Sequence, residues 1–131
     1  GRLGTRVNIG QGSWFEALGP DLEDRLSVVV SNPPYVAADE VLPALVADHE
    51  PRVALVAGPT GYEDLEAIVE AAPRWLCRSG ALVLEMAPHQ TDRVATLAER
   101  HFAQVDVFDD LAGRARGIVA RERSGPPRAN R

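Results

Sequence analysis

The chain has 131 residues, 45% of them apolar and 25% charged, the balance of one soluble globular domain with a real core. Fourteen Lys and Arg against nineteen Asp and Glu give a net charge of −5, which argues against nucleic acid as the main partner, since duplex binders usually present a basic face. A single cysteine, Cys77, leaves no internal disulfide to form and points to a reducing cytoplasm, and no apolar run is long enough to span a membrane.

Gly1-Arg2-Leu3-Gly4 shows neither an initiating Met nor a charged-then-apolar leader, so the chain reads as a piece of something longer. Val7 and Ile9 alternate with polar neighbours and lead into Gly10-Gln11-Gly12, which predicts a short strand and a turn. Ser13-Trp14-Phe15-Glu16-Ala17-Leu18 follows as a loop or short helical turn, closed by Gly19-Pro20. Leu26-Ser27-Val28-Val29-Val30 is short, β-branched and bounded by turn formers, the pattern of a buried strand.

Ser31-Asn32-Pro33-Pro34-Tyr35 comes directly after that strand. Two prolines in series fix φ and remove two backbone donors, and Pro33 pushes Asn32 into an extended conformation. A stiff loop therefore leaves a buried strand, carrying one amide and one aromatic ring at fixed positions. In open α/β sheets ligands bind at such strand ends.

Residues 38–47 have helical composition with Pro43 inside, predicting a short or broken helix, and His49-Glu50-Pro51 opens an irregular stretch to Gly61. Thr60-Gly61-Tyr62-Glu63 has capping-box spacing, and Leu65, Ile68, Val69, Ala72 and Leu76 then fall on one helical face. Pro73 is expected to shorten or kink that helix and Gly80 to close it. Ala81-Leu82-Val83-Leu84 predicts a second buried strand ending at Glu85, and residues 89–101 an amphipathic helix with Val94, Leu97, Ala98 and His101 on one side. Val105 and Val107 mark a half-buried strand and Gly117-Ile118-Val119-Ala120 a final one. The link between them is too short for a helical crossover, so they should be antiparallel neighbours. The domain is expected to span residues 1–121, with a polar, disordered tail over 122–131. Strands alternating with helices imply an α/β fold with a largely parallel sheet.

The order of several motifs resembles the C-terminal part of the PrmC/HemK family, the S-adenosylmethionine-dependent methyltransferases that modify a glutamine amide in peptide chain release factors. Trp14-Phe15, Ser31-Asn32-Pro33-Pro34-Tyr35, His49-Glu50-Pro51, Ala54-Leu55, Gly58 and Gly61 carry the resemblance in its first half. Leu84-Glu85 with Gln90, and Asp110-Leu111-Ala112-Gly113-Arg114 with Arg116, carry it in the second. It covers about residues 6 to 121. The Asn-Pro-Pro-Tyr motif is shared with enzymes that methylate amino groups on nucleic-acid bases, whereas the His-Glu-Pro and Asp-Leu-Ala-Gly-Arg segments are more specific. Two positions depart from the family pattern: Ser13 stands where an Asp precedes the Trp-Phe pair, and Met86-Ala87 where the family has Ile-Gly.

The resemblance implies a class I, Rossmann-like sheet of strand order 3-2-1-4-5-7-6, of which this chain would supply strands 3 to 7 and lack the first two. The glycine-rich cofactor loop and the ribose-holding acid would lie on those two strands. Gly10-Gln11-Gly12 is no substitute, because a lone Gly-x-Gly without a helix after it is weak evidence for a nucleotide loop. The strand at 26–31 would then present an open apolar edge, a template for self-association, and the strand at 6–10 would lose both neighbours.

By the same resemblance Ser13, Trp14 and Asn32 belong to the cofactor side of the site, and Asn32, Pro33, Pro34 and Tyr35 to the substrate side. Asn32 and Pro33 carry the catalytic part. An amide nitrogen is a poor nucleophile, so the site must align it and accept hydrogen bonds from its N–H groups as positive charge develops. The Asn32 side-chain carbonyl and the Pro33 backbone carbonyl are suitable acceptors, and the Tyr35 ring can pack on the amide and exclude water.

Other residues keep plainer readings. Trp14 is a core aromatic or a cofactor wall. Glu50 is first a structural hydrogen-bonder. Glu85 either faces the site or pairs with Arg114 or Arg116, which otherwise read as solvated charges. His49 and His89 lack metal-ligand spacing and read as surface or capping residues, and Cys77 as a small buried residue near a helix end. Three functions remain in view: a release-factor glutamine methyltransferase with that factor as partner, an amino-methyltransferase acting on a nucleic-acid base, and a catalytically silent remnant. The first is favoured for the parent protein and the third for the 131 residues alone.

Overall fold

Val28, Val29 and Val30 form the middle of the first strand, β1 (Leu26–Ser31). The computed structural model describes residues 7–33, 36–37, 56–58 and 60–124. The expected helix at 38–47, the segments His49-Glu50-Pro51 and Ala54-Leu55, the pair Pro34-Tyr35 and the tail beyond Ser124 lie outside the described residues. After β1 come two short strands, β2 (Val36–Ala37) and β3 (Val56–Gly58). Then follow α1 (Glu63–Trp75), β4 (Leu76–Glu85), α2 (Thr91–Ala98), β5 (Phe102–Asp109) and β6 (Ala115–Arg123).

The main sheet has the order β1-β4-β6-β5. β1 pairs with β4 in parallel, and β5 and β6 are the expected antiparallel neighbours. The chain is thus α/β, with a sheet whose order matches strands 4-5-7-6 of a partial Rossmann-like methyltransferase fold; the sheet is mixed and not largely parallel as expected, because β6 runs antiparallel to both β4 and β5. β2 and β3 form a separate parallel ribbon.

Both helices serve one face of this sheet. Leu82 pairs with Ala120 and Leu84 with Ile118, and all four are fully buried with Leu65, Ile68 and Val69 of α1 and Val94 of α2. Val28 and Val30 point to the other face, opposite Ala81 and Val83, and are 57% and 72% exposed. β1 has β4 on one side and no strand on the other among the described residues.

Several boundaries differ from the sequence expectation. Val7 and Ile9 form no strand and are exposed; no described strand lies beside them to take their backbone groups. Pro73 does fall in the last turn of α1, but Gly80 does not end the helix. The chain becomes extended at Leu76, which with Cys77 belongs to β4 and not to the helical face. Gly80 sits inside that strand, where a Cβ would stand 2.9 Å from the Leu26 carbonyl oxygen, so its bare backbone permits the irregular register between Leu26 and Val28. The predicted helix at 89–101 splits into a 3-10 turn at Pro88–Gln90 and α2, and His101 lies beyond both. Val105 is half-buried but Val107 is 44% exposed, because β5 is the outermost strand; Phe102 is its buried anchor. β6 runs on to Arg123, two residues into the segment expected as tail.

That extension has a cause. The Arg123 guanidinium donates to the Leu76 carbonyl at 2.8 Å and to Asp24 Oδ1 at 3.0 Å, with both charged side chains nearly buried. Arg123→Met should therefore lower unfolding free energy by about 3 kcal/mol, since it leaves a buried carboxylate without its cation. Urea titration reads this, and adding Asp24→Asn should recover part of the loss; a cost near that of an ordinary surface substitution would contradict it.

The start of α1 keeps the Thr60–Glu63 contact but not the capping-box positions: the N-cap is Tyr62, without a side-chain cap bond, and Glu63 is the first helical residue. Glu63 accepts from the backbone N–H groups of Thr60 and Gly61 and from the Thr60 hydroxyl, at 2.7 to 3.2 Å. The Thr60 hydroxyl, with these backbone donors, holds the Glu63 carboxyl below its usual range. A lowered folded value contributes stability above the ordinary carboxylate pKa, lost as pH falls through the folded value. The melting-temperature gap between wild type and Glu63→Gln should be open at neutral pH and close on acidification.

Candidate functional site

Parallel pairing decides where the motifs meet. Ser31 at the end of β1 pairs with Leu84 near the end of β4, so Asn32 and the segment Glu85-Met86-Ala87 leave the sheet at the same edge. β6 runs the opposite way and places Gly117 beside Glu85 at that edge, together with the turn from β5. Three segments distant in sequence therefore converge: Asn32-Pro33, Glu85-Met86-Ala87 and Asp110 to Arg116. Asn32 is exposed and Pro33 buried, so the amide is free to meet a ligand while the ring behind it is fixed. Pro34 and Tyr35 lie outside the described residues.

Trp14 is neither a core residue nor free of the fold. It is 39% exposed, and its indole N–H donates to Asp64 Oδ1 at 3.2 Å. Its φ of 49° lies in the left-handed region, an uncommon position for a bulky residue. The next residue, Phe15, stacks on Trp75 with centroids 5.9 Å apart and planes 6° from parallel, which anchors the 3-10 turn Trp14–Ala17. Trp14, Phe15, Leu18, Val29, Ser31 and Ile68 enclose a largely apolar cleft of about 290 Å³. It opens beside the strand that carries Asn32. Ser13 is exposed; its carbonyl accepts from the Glu16 N–H, and its hydroxyl makes no capping bond. The structure thus brings Trp14 to the cleft by Ser31. Asp64, the partner that fixes the indole, carried no signal in the sequence beyond its place in the first turn of α1.

The acidic residues at the shared edge are occupied. Glu85 pairs with Arg116 at 3.6 Å, and Met86 N–H donates to the Arg116 carbonyl at 2.9 Å. Asp110 accepts from the N–H groups of Ala112 and Arg114 at 2.9 and 3.0 Å, closing the turn around Gly113, whose φ is 82°. The Arg114 backbone donor is the largest cause holding the Asp110 carboxyl below its usual range. Arg114, 72% exposed, lies 3.6 Å from the same carboxylate. These acids bind the edge together instead of offering a general base. His89 is exposed on the turn before α2, and Cys77 is half-buried in β4 with its Sγ 3.6 Å from Ser79 Oγ. Among the described residues no group of His, Cys, Asp and Glu could hold a metal ion, and no helix is long and apolar enough to cross a membrane.

No family model matches the chain. Curated relatives do. The chain is 38% identical over 122 residues to the release factor glutamine methyltransferase of Cereibacter sphaeroides, covering 91% of this chain and 42% of that protein. It is 36% identical over 122 residues to that of Thermosynechococcus vestitus, covering 90% and 42%. It is 41% identical over 101 residues to that of Geobacter sulfurreducens, covering 76% and 34%. The chain spans about two fifths of the length of the curated relatives it matches. Through these relatives the chain belongs to the PrmC/HemK family of release factor glutamine methyltransferases, of which it matches the C-terminal part.

Proposed function

We propose that this chain forms the acceptor-gripping part of an enzyme that methylates a glutamine side-chain amide in a peptide chain release factor. The observation that carries this reading is the placement of Asn32 and Pro33 at the carboxyl end of β1, between the Trp14 cleft and the edge shared with Glu85 and Asp110. The Asn32 carbonyl would accept a hydrogen bond from the substrate amide, and the buried Pro33 would hold its own carbonyl in place. Neither titrates, so the two orient the amide and favour the charge developing on its nitrogen, and the proton leaves after the methyl is on. Pro34 and Tyr35 complete the grip on the substrate side.

S-adenosylmethionine is the methyl donor in this reading, and when bound it supplies an electrophilic methyl group. The cleft suits its adenine: the walls are largely apolar and the half-exposed Trp14 is one of them. Among the described residues no acidic side chain lines that cleft, and Ser13 stands where the family has a carboxylate. The 131 residues alone should therefore bind the donor weakly and turn over little. A base-modifying activity fits less well with a net charge of −5.

The test offers labelled donor, a release factor and structured nucleic acid in parallel to the polypeptide encoded around these residues. Label should appear on a release-factor glutamine and fall about a hundredfold with Asn32→Ala, the scale of losing one charge-stabilising contact. Label on nucleic acid alone would overturn the reading. Calorimetry on the 131-residue chain should detect no micromolar donor binding.

The open side of β1, with Val28 and Val30 exposed, makes self-association the expected behaviour of the isolated chain. Sedimentation velocity should show concentration-dependent association that Val30→Lys weakens. A monomer at every concentration with one cooperative unfolding transition would rule this out.

A further inference from the structure

Gln90 is fully buried, the least exposed polar side chain among the described residues. Its Oε1 accepts from the Ala87 N–H at 3.1 Å, which closes its own turn after β4. Its Nε2 donates to the Gly61 carbonyl at 3.2 Å, 29 residues away. The first bond is local, of the kind that starts a helix. The second does nothing for α2; it reaches a different segment. Burying an amide is costly unless it is hydrogen-bonded, and an apolar residue of similar volume would fill the space. The side chain is therefore explained by what it holds.

What it holds is the return point of the excursion that begins at Asn32-Pro33. β2 starts three residues after Pro33 and pairs with β3, and Gly61 follows three residues after the end of β3. Gly61 is gripped on both sides: Glu63 takes its N–H at 3.0 Å and Gln90 its carbonyl. Its φ of 85° leaves little freedom to any other residue there. The turn that carries Gln90 leaves β4, and β4 is paired to β1 up to Ser31. One end of the excursion is thus fastened by the backbone of β1, and the other by Glu63 at the start of α1 and by the Gln90 amide, which alone of the two reaches it from the end of β4.

We propose that Gln90 is a positioning residue for the Asn32-Pro33 loop: it fixes the β2–β3 ribbon, and through it the far side of the loop, against the end of β4. The proposal rests on reading that loop as the grip on the acceptor amide, but its test does not use methyl transfer. Amide exchange by NMR is measured on the 131-residue chain as wild type, Gln90→Leu and Gln90→Glu, each corrected for intrinsic rates. Gln90→Leu should raise exchange at least tenfold at those of Val36, Ala37, Val56 and Gly58 whose amides are protected by the β2–β3 pairing in wild type, while Leu82 and Leu84 change less than twofold. Gln90→Glu is the sharper variant. Ionised, it keeps the acceptor for Ala87 but opposes the Gly61 carbonyl; protonated, it restores both bonds with the shape of an amide. It should behave like Gln90→Leu at the alkaline end and like wild type at the acid end, a rescue that loss of packing does not produce. Wild type at both pH values controls for Glu63, which holds the Gly61 N–H. Unchanged ribbon exchange in Gln90→Leu, equal loosening throughout the sheet, or no acid rescue in Gln90→Glu would each overturn the proposal. Shifts of the Asn32 side-chain resonances on adding acetyl-glutamine methylamide separate the two ideas. The expected exchange pattern without such shifts supports the tie at Gln90 and rejects the loop as a glutamine grip.

Discussion

β4 is paired on both sides over residues 81–84, in parallel to β1 and antiparallel to β6. Everything at the proposed site takes its position from that double pairing. The parallel side brings the end of β1, and with it Asn32, to the end of β4. The antiparallel side turns the β5–β6 connection back to the same edge. Leu82 and Leu84 fix the strand's depth by filling the layer beneath α1 and α2. A slip of one residue on either side would send these leucines to the open face and carry the loop with them.

The charges near that edge maintain it. Glu85 and Arg116 span the β4–β6 pair, and Asp110 ties the turn between β5 and β6 into a fixed shape. Half-exposed pairs of this kind contribute little to global stability. Their effect is on shape, because they hold neighbouring segments at the end of the sheet together over a short distance. The exposed Asn32 offers an amide at that edge, which suits the proposed reaction, whose difficulty is orientation more than proton removal.

Much of this was legible in the sequence, for reasons that differ by element. β1 and the centre of β4 are apolar runs with β-branched residues, and α1 carries a full helical stripe, so pattern alone located them. The Asn32-Pro33 loop stood out because two prolines after a buried strand are chemically distinctive. The boundaries that moved were set by contacts with no local signature. Cys77 and Gly80 read as a helix end, but Arg123 and the Leu26 carbonyl draw that stretch into the sheet. Val107 read as inward by alternation, yet its strand is outermost and has little above it. Val7 and Ile9 alternate as a strand should, and alternation cannot supply a neighbour. At the cleft, the Trp14–Asp64 hydrogen bond joins residues fifty apart, beyond the reach of any periodicity.

The Asp24–Arg123 pair joins residues 99 apart, just ahead of β1 and at the end of β6. Contacts of such separation close late, because the chain entropy they cost is recovered only when the elements between them are in place. The same guanidinium also holds the Leu76 carbonyl, where α1 gives way to β4. The segment leading into the proline loop is also held by partners nearer in sequence, the Glu23–Arg74 ion pair and the pairing of β1 with β4, so it is fastened in stages and Arg123 closes it last. Val28 and Val30 stay exposed even then, so Arg123 fixes where the molecule's most adhesive strand begins without covering its apolar face.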